Sequence, residues 1–330
     1  MMILTAQAFP PRSGGIENLM GALAEYAARA GEDVHVYGDG GAAEIAHDAK
    51  SNPLYKITRF SGIKQLRRRR KGKAVGGAAG HDDYIFADTW KSTEHLPAGL
   101  SVPVSVYAHG NELPLANADG SFAKQARIRK ALSKATHIFV NSSDTKQRVS
   151  PFLPDGITPV IVNPPVEPAI EPEPADTKFS DTLWPSDGIR LVTLSRLIAW
   201  KGIDQAIRAC AALNADGTPA QLVIGGSGGD IGRLEEIVAE LGIADRVHFA
   251  GRISDGQKTA LYRSADIFLQ PGRDVDGQFE GFGISYIEAG LQGLPGISGN
   301  AGGAPDAVDD GEQVLLDLTA MLAPASRALW

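Results

Sequence analysis

Between Pro164 and Gly188 the chain carries six prolines, several acids and almost no hydrophobic periodicity, and the same rhythm runs on either side of this break. Short apolar, β-branched runs alternate with helical patterns, which calls for parallel strands joined by crossover helices. In the first half the runs predict strands at 3–8, 34–37, 84–87, 104–107, 137–140 and 160–162. The first helix is plain, because Ile16, Leu19, Met20, Leu23 and Ala27 recur at helical spacing on one face. In the second half, strands at 190–194, 221–224, 247–250, 267–270 and 296–298 alternate with helices around 203–213, 232–241 and 258–263. The rhythm therefore predicts an α/β chain of two Rossmann-like domains whose parallel sheets face a central cleft. The first domain is expected at 1–165, a proline-rich linker at 166–188 and the second domain at 189–330.

Composition sets limits on the class. A hydrophobic share of 43% and a charged share of 22% are those of a globular protein. The single cysteine, Cys210, excludes an internal disulfide framework and fits a reducing, cytoplasmic setting. It lies in an alanine-rich helical run, which suits a buried structural thiol. No apolar stretch approaches the roughly 20 residues that a spanning helix needs. The start, Met1-Met2-Ile3-Leu4-Thr5, has no basic region ahead of its apolar residues and does not read as a signal peptide.

The net charge of −7 hides a local reversal, since the ten residues from Lys64 to Lys73, KQLRRRRKGK, include seven cations. Such a run forms either a solvated loop or a contact with an anionic membrane surface. No nucleic-acid-binding module accompanies it, so nucleic acid is not expected as a partner. A contact with the inner face of the plasma membrane is the functional reading.

In open α/β sheets ligands sit beyond the carboxyl ends of the strands, so residues there carry the candidate chemistry. Ser195-Arg196-Leu197 ends a predicted strand, and Lys201-Gly202 follows it closely. Two cations held this near each other call for an anion, and a diphosphate suits a guanidinium fork beside an ammonium. His109-Gly110 follows the strand at 104–107, where the histidine either caps a loop or meets a ligand hydroxyl. Gly14-Gly15 separates the first strand from the first helix, a place where a phosphate or sugar can approach the backbone closely. Gly225 opens the glycine run after the strand at 221–224, which lacks the spacing of a full dinucleotide fingerprint. Asp274-Val275-Asp276 has the look of a carboxylate pair for a metal, but its loop setting and the Arg196/Lys201 pair argue against a required metal ion.

The richest stretch is Glu-Gly-Phe-Gly-Ile-Ser-Tyr-Ile-Glu at 280–288, two glutamates eight positions apart around a glycine turn. A helix starting near Gly283 offers unpaired N–H groups to an anion, with Glu288 about one and a half turns further in. A phosphate at the turn and a hydroxyl pair at Glu288 is what a nucleotide-sugar requires. This pattern resembles the E-x7-E signature of retaining glycosyltransferases of family 4, which have the GT-B fold. SRLIAWKG resembles that family's SRL…KG motif, His109-Gly110 its H-G motif, and Gly302-Gly303-Ala304-Pro305-Asp306 its GGxPE/D segment. The resemblance runs from Gly14 to about Gly311 and is greatest to the GDP-mannose-dependent mannosyltransferases acting on phosphatidylinositol mannosides.

The resemblance implies roles residue by residue. Arg196 and Lys201 would bind the donor diphosphate and stabilise the leaving nucleotide without a metal or other cofactor. Glu280 would lie against the donor sugar, and Phe282, Gly283 and Ile284 would offer backbone groups to the phosphates. Glu288 would hold the ribose, Arg252 would lie at the base, and Gly225 would be one of the family's strand-end glycines at the donor. His109, Gly14 and Gly15 would face the sugar and the acceptor. The donor implied is GDP-mannose, with a UDP-sugar as the alternative, and the acceptor is lipid-linked or a saccharide. Family members continue past the position of Trp330 through helices that return to the first domain, so a shortened carboxyl terminus is expected. The other readings are a nucleotide-sugar epimerase or phosphorylase of the same architecture and a shortened, non-catalytic binding relative. For the epimerase no acid/base set is visible, and a phosphorylase needs a much longer chain.

Overall fold

The structure is a computed structural model that describes residues 1–12, 14–114, 122–185 and 187–308, together with the backbone of 314–316. The chain divides into two compact units, Met1–Pro165 and Val166–Trp330.

The first unit is built on seven parallel strands: β1 (Met2–Ala6), β2 (Val34–Asp39), β3 (Lys56–Phe60), β4 (Tyr84–Ala87), β5 (Val104–Ala108), β6 (His137–Val140) and β7 (Val160–Ile161). Their order across the sheet is β3-β2-β1-β4-β5-β6-β7, so direction of growth reverses between β1 and β4. Helices α1 (Gly15–Arg29), α2 (Ala42–Ser51), α3 (Lys64–Ala78), α4 (Trp90–Thr93), α5 (Phe122–Leu132) and α6 (Ser143–Val149) connect them. Alternate residues of β1 serve two cores, Met2, Leu4 and Ala6 against the α1 side and Ile3 against the α3 side. Strand β1 ends two residues earlier than its apolar run, because the N–H groups of Gln7 and Ala8 turn to Oδ2 of Asp88 at 2.6 and 3.1 Å. Strand β3 escapes sequence reading for a simple reason: at the sheet edge only Phe60 is fully buried, so no clean alternation marks it.

The second unit repeats the plan with α7 (Pro174–Thr182), β8 (Ile189–Leu194), α8 (Ile203–Ala215), β9 (Ala220–Gly225), α9 (Ile231–Glu240), β10 (Val247–Gly251), α10 (Asp255–Ser264), β11 (Ile267–Gln270), α11 (Ile284–Gly290), β12 (Gly296–Gly299) and β13 (Val314–Leu316). All its pairings are parallel and the order is β10-β9-β8-β11-β12-β13, with the reversal between β8 and β11. Both units thus show the doubly wound order in which strands are added outward from the first strand and then on its other side. The alternation of elements in the sequence and the α/β class it implies are present in the structure.

Two expectations are corrected. The run 64–73 is not a loop but the first two-thirds of helix α3. Seven cations repel one another in an isolated helix; here Val75 is buried against the sheet, Gly72 lies against the His95 main chain, and Lys71 and Arg67 meet Asp39. The stretch 166–188 is not a bare linker either. Pro174 occupies the first turn of α7, a capping box pairs Glu173 with Asp176, and Leu183 and Trp184 belong to a core with Leu261, Phe268 and Tyr286. Trp184 Nε1 also donates to Ser264 Oγ at 2.9 Å, tying this segment to α10. The carboxyl terminus read as shortened lies outside the described residues, apart from 314–316.

Candidate functional site

Strands β8 and β11 flank the point where the second sheet reverses its order, which is where a doubly wound sheet leaves a crevice beyond its carboxyl edge. The loop after β8 carries Arg196 and Lys201, and the loop after β11 carries Glu280. They can meet because Gly202 has no side chain. Its φ of 72° is left-handed, and a Cβ there would come within 1.9 Å of the Pro271 carbonyl oxygen.

The Lys201 ammonium bonds directly to Oε2 of Glu280, and both side chains are only 13–14% exposed. Gln270, the last residue of β11, donates from Nε2 to the same Oε2 at 3.3 Å. The Arg196 guanidinium is exposed, lies 5.9 Å from the Trp200 ring centroid, and has no ion-pair or hydrogen-bond partner among the described residues. The site therefore holds one neutralised cation and one unpaired cation, a combination suited to a polyanion.

Gly283 precedes helix α11 as its N-cap; its φ of 104° is likewise left-handed and leaves the Tyr286 ring room where a Cβ would stand 2.4 Å away. Its first turn leaves amide groups, Ile284's among them, without an intrahelical acceptor. The Phe282 side chain is buried in the core, so only its backbone is offered. Further along α11, Glu288 accepts from Lys258 Nζ at 2.7 Å, and Lys258 also meets Asp255 at 3.2 Å. Burial pulls the Lys258 ammonium down, but its bonds to Glu288 and Asp255 outweigh this and the net direction is up. Tyr262 lies beneath, fully buried, its hydroxyl unpartnered among the described residues; burial and then the charge of Glu288 push it well above the usual phenol range.

The remaining expected residues fall in three places. Gly225 is buried at the end of β9, where a Cβ would stand 2.2 Å from a Leu194 methyl, so its smallness serves packing. Arg252 follows β10 and donates from Nε to Ser227 Oγ in the glycine run at 3.0 Å. Gly14, Gly15 and His109 belong to the first unit. Gly14 caps α1, and a Cβ on Gly15 would meet nothing within 4 Å. The His109 ring donates from Nε2 to the Asp88 carbonyl at 2.8 Å and packs on Tyr107, while its main-chain N–H goes to Glu112 at 2.9 Å. A carbonyl oxygen only accepts, so Nδ1 is the ring nitrogen left for another partner. The structure thus joins Lys201 with Glu280 directly, and Glu288 with a lysine that sequence reading missed. Among the described residues no three His, Cys, Asp or Glu side chains gather as metal ligands would.

Lys258 and Gln270 carried only faint signals. Lys258 stands three residues after Asp255 on a helix, and Gln270 is an amide closing an otherwise apolar strand.

Two doubly wound units of this order define the GT-B fold. Residues 175–325, within the second unit, match the family described as glycosyl transferases group 1. It is 28% identical over 334 residues to the GDP-mannose-dependent alpha-(1-6)-phosphatidylinositol monomannoside mannosyltransferase of Mycolicibacterium smegmatis, covering 94% of this chain and 83% of that protein. It is also 28% identical over 323 residues to the corresponding monoacylated-lipid mannosyltransferase of Corynebacterium glutamicum, covering 91% of this chain and 80% of that protein. Among solved structures it resembles HepE of Anabaena, crystallised in complex with UDP, with a TM-score of 0.72 at 19% identity over 96% of this chain and 85% of that one.

Proposed function

We propose that the protein is a retaining glycosyltransferase that moves a hexose, mannose first among candidates, from a nucleoside diphosphate sugar to a lipid-linked acceptor. The observation that carries this reading is the set of charges around the β8/β11 reversal: Arg196, unpaired among the described residues, and Lys201–Glu280 in the loops after β8 and β11, with Lys258–Glu288 joining α10 to α11. Arg196 and Lys201 receive the diphosphate and stabilise the charge that grows on it as the glycosidic bond breaks. Backbone groups at 282–284 add donors to the phosphates. Glu280 takes sugar hydroxyls, Glu288 takes the ribose pair, and Arg252 lies toward the base. With the leaving charge held by two cations, no metal ion is required. The departing phosphate accepts the acceptor proton, and attack from the face it leaves retains the anomeric configuration. Guanine is favoured as the base by the two mannosyltransferase relatives; the fold likeness to the UDP-bound HepE keeps uracil as the alternative.

The acceptor lipid brings in the basic helix α3. Arg67, Arg68 and Lys71 turn inward, whereas Lys64, Arg69, Arg70 and Lys73 are exposed together with Ile63 and Leu66, which are 73% and 55% exposed. Cations flanking exposed apolar side chains suit the headgroup region of an anionic membrane, at about 1 kcal/mol for each cation near the surface. No helix among the described residues is long and apolar enough to cross a membrane.

The test is incubation with GDP-mannose or UDP-glucose and phosphatidylinositol-containing vesicles in the presence of a chelator. Appearance of an α-linked glycolipid, identified by its one-bond carbon–proton coupling at the anomeric centre, is expected. A β-linked product removes the retaining assignment, and absence of both transfer and donor hydrolysis favours a non-catalytic binding protein.

A further inference from the structure

Strand β11 is apolar until its last residue, where Gln270 stands with its side chain fully buried. A buried amide is costly unless its groups are paired. Here Nε2 donates to Oε2 of Glu280, the oxygen that also takes the Lys201 ammonium. A carboxylate only accepts, so the NH2 end of the amide must face it. Oε1 of Gln270 is left with no partner among the described residues. The main chain around Gln270 is fixed without its side chain, since the Tyr286 hydroxyl and the Gly272 amide both donate to its backbone carbonyl. Leucine or methionine would fill the position and leave no unpaired atom. Among the described residues the one polar contact that the amide makes is with Glu280.

We propose that Gln270 is a positioning residue of the donor-sugar site, holding the Glu280 carboxylate in place when the donor diphosphate takes Lys201. The inference rests on the donor reading above. In the structure Lys201 and Gln270 share one oxygen of Glu280, and the other oxygen takes no hydrogen bond among the described residues. A diphosphate competes with Glu280 for the ammonium. Once Lys201 turns to it, the amide is the side-chain donor that remains, and it keeps the carboxylate in the rotamer whose free oxygen meets sugar hydroxyls. A nucleoside diphosphate without its sugar draws nothing from this arrangement. Gln270 therefore acts on recognition of the sugar and not of the diphosphate.

The experiment is calorimetric titration of the full chain with a nucleoside diphosphate and its sugar conjugate, using whichever of GDP/GDP-mannose and UDP/UDP-glucose binds the wild type. Gln270→Met and Gln270→Leu should bind the diphosphate as the wild type does. Their affinity for the sugar conjugate should fall about tenfold or more, the effect of losing a hydrogen bond to a charged group. In a Glu280→Ala background, Gln270→Met should have no further effect. Unchanged affinity for the conjugate overturns the inference, and so do equal losses for diphosphate and conjugate, which would mark a purely structural role. A wild type that binds neither pair overturns the donor reading itself. Thermal midpoints of the variants establish that each is folded.

Discussion

At the carboxyl edge of the first sheet the ion pair of Asp39 with Lys71 is shut away from water. Asp39 holds Lys71 at 2.8 Å with side-chain exposures of 4% and 2%, and on its outer side meets Arg67, 23% exposed, at 3.0 Å. Lys71 Nζ also donates to the Ala6 carbonyl, and Asp88 takes the turn after β1. At the same edge of the second sheet the pairs stay partly open: 13% and 14% for Lys201 and Glu280, 28% and 26% for Lys258 and Glu288. Two units with the same strand order have thus put charge at the same place for different ends. A pair sealed from solvent can only be broken at great cost, so it fixes the end of the sheet. A pair that solvent still reaches can exchange its partner for a ligand.

The comparison breaks most visibly if the sealed pair proves dispensable. Asp39→Ala leaves Lys71 buried without its counter-charge and should cost about 3–5 kcal/mol, read as a lowered midpoint in chemical denaturation. Lys71→Met, which removes the charge and keeps the bulk, should cost far less. Neither change should alter donor affinity in the second unit. At the open edge the pattern should invert. Lys201→Ala and Arg196→Ala should lower turnover by about 10²–10³-fold, the scale for losing one preorganised donor to a developing charge, with the denaturation midpoint near that of the wild type. Unchanged rates in both variants would remove the diphosphate assignment.

A smaller effect concerns the ion pairs that brace the open edge. Asp204, at the start of α8, is held by both terminal nitrogens of Arg273 at 2.8 Å and by Arg233 at 3.5 Å. Burial pushes its carboxyl up, yet the bonds from Arg273 outweigh this and the net direction is down. A depressed carboxyl stabilises the fold above its unfolded pKa of about 4 and loses that contribution as pH falls through the folded value. The second unit should therefore lose stability in acid, and Asp204→Asn should be less stable at neutral pH with a shallower acid dependence. A pH profile identical to wild type would contradict the bracing role. The smallest effect lies at Cys210: burial pushes its thiol to about 11, so thiol reagents should label it only as the second unit unfolds.

How much was legible in the sequence follows from where each signal resides. Strands such as β8, β9 and β11 are short apolar runs with sharp ends, and their alternation with helices fixed the class and their order along the chain. Arg196, Lys201, Glu280 and Glu288 were visible because they stand at strand ends or in a spaced pair. Helix α3 was hidden because like charges in sequence hide partners supplied by β2, and α7 because prolines at its ends read as a break when one of them begins a helix. Lys258 and Gln270 gain meaning only when α10 and β11 bring them to the two glutamates, and no spacing in one dimension shows that.

The most direct test of the account is calorimetric titration of GDP-mannose, in chelator, into the wild type, Lys201→Ala and Glu288→Ala. A single site is expected on the wild type and loss of most of the affinity in each variant, with all three folded. Equal affinity in all three proteins would contradict it, because the donor would then bind away from the edge between β8 and β11.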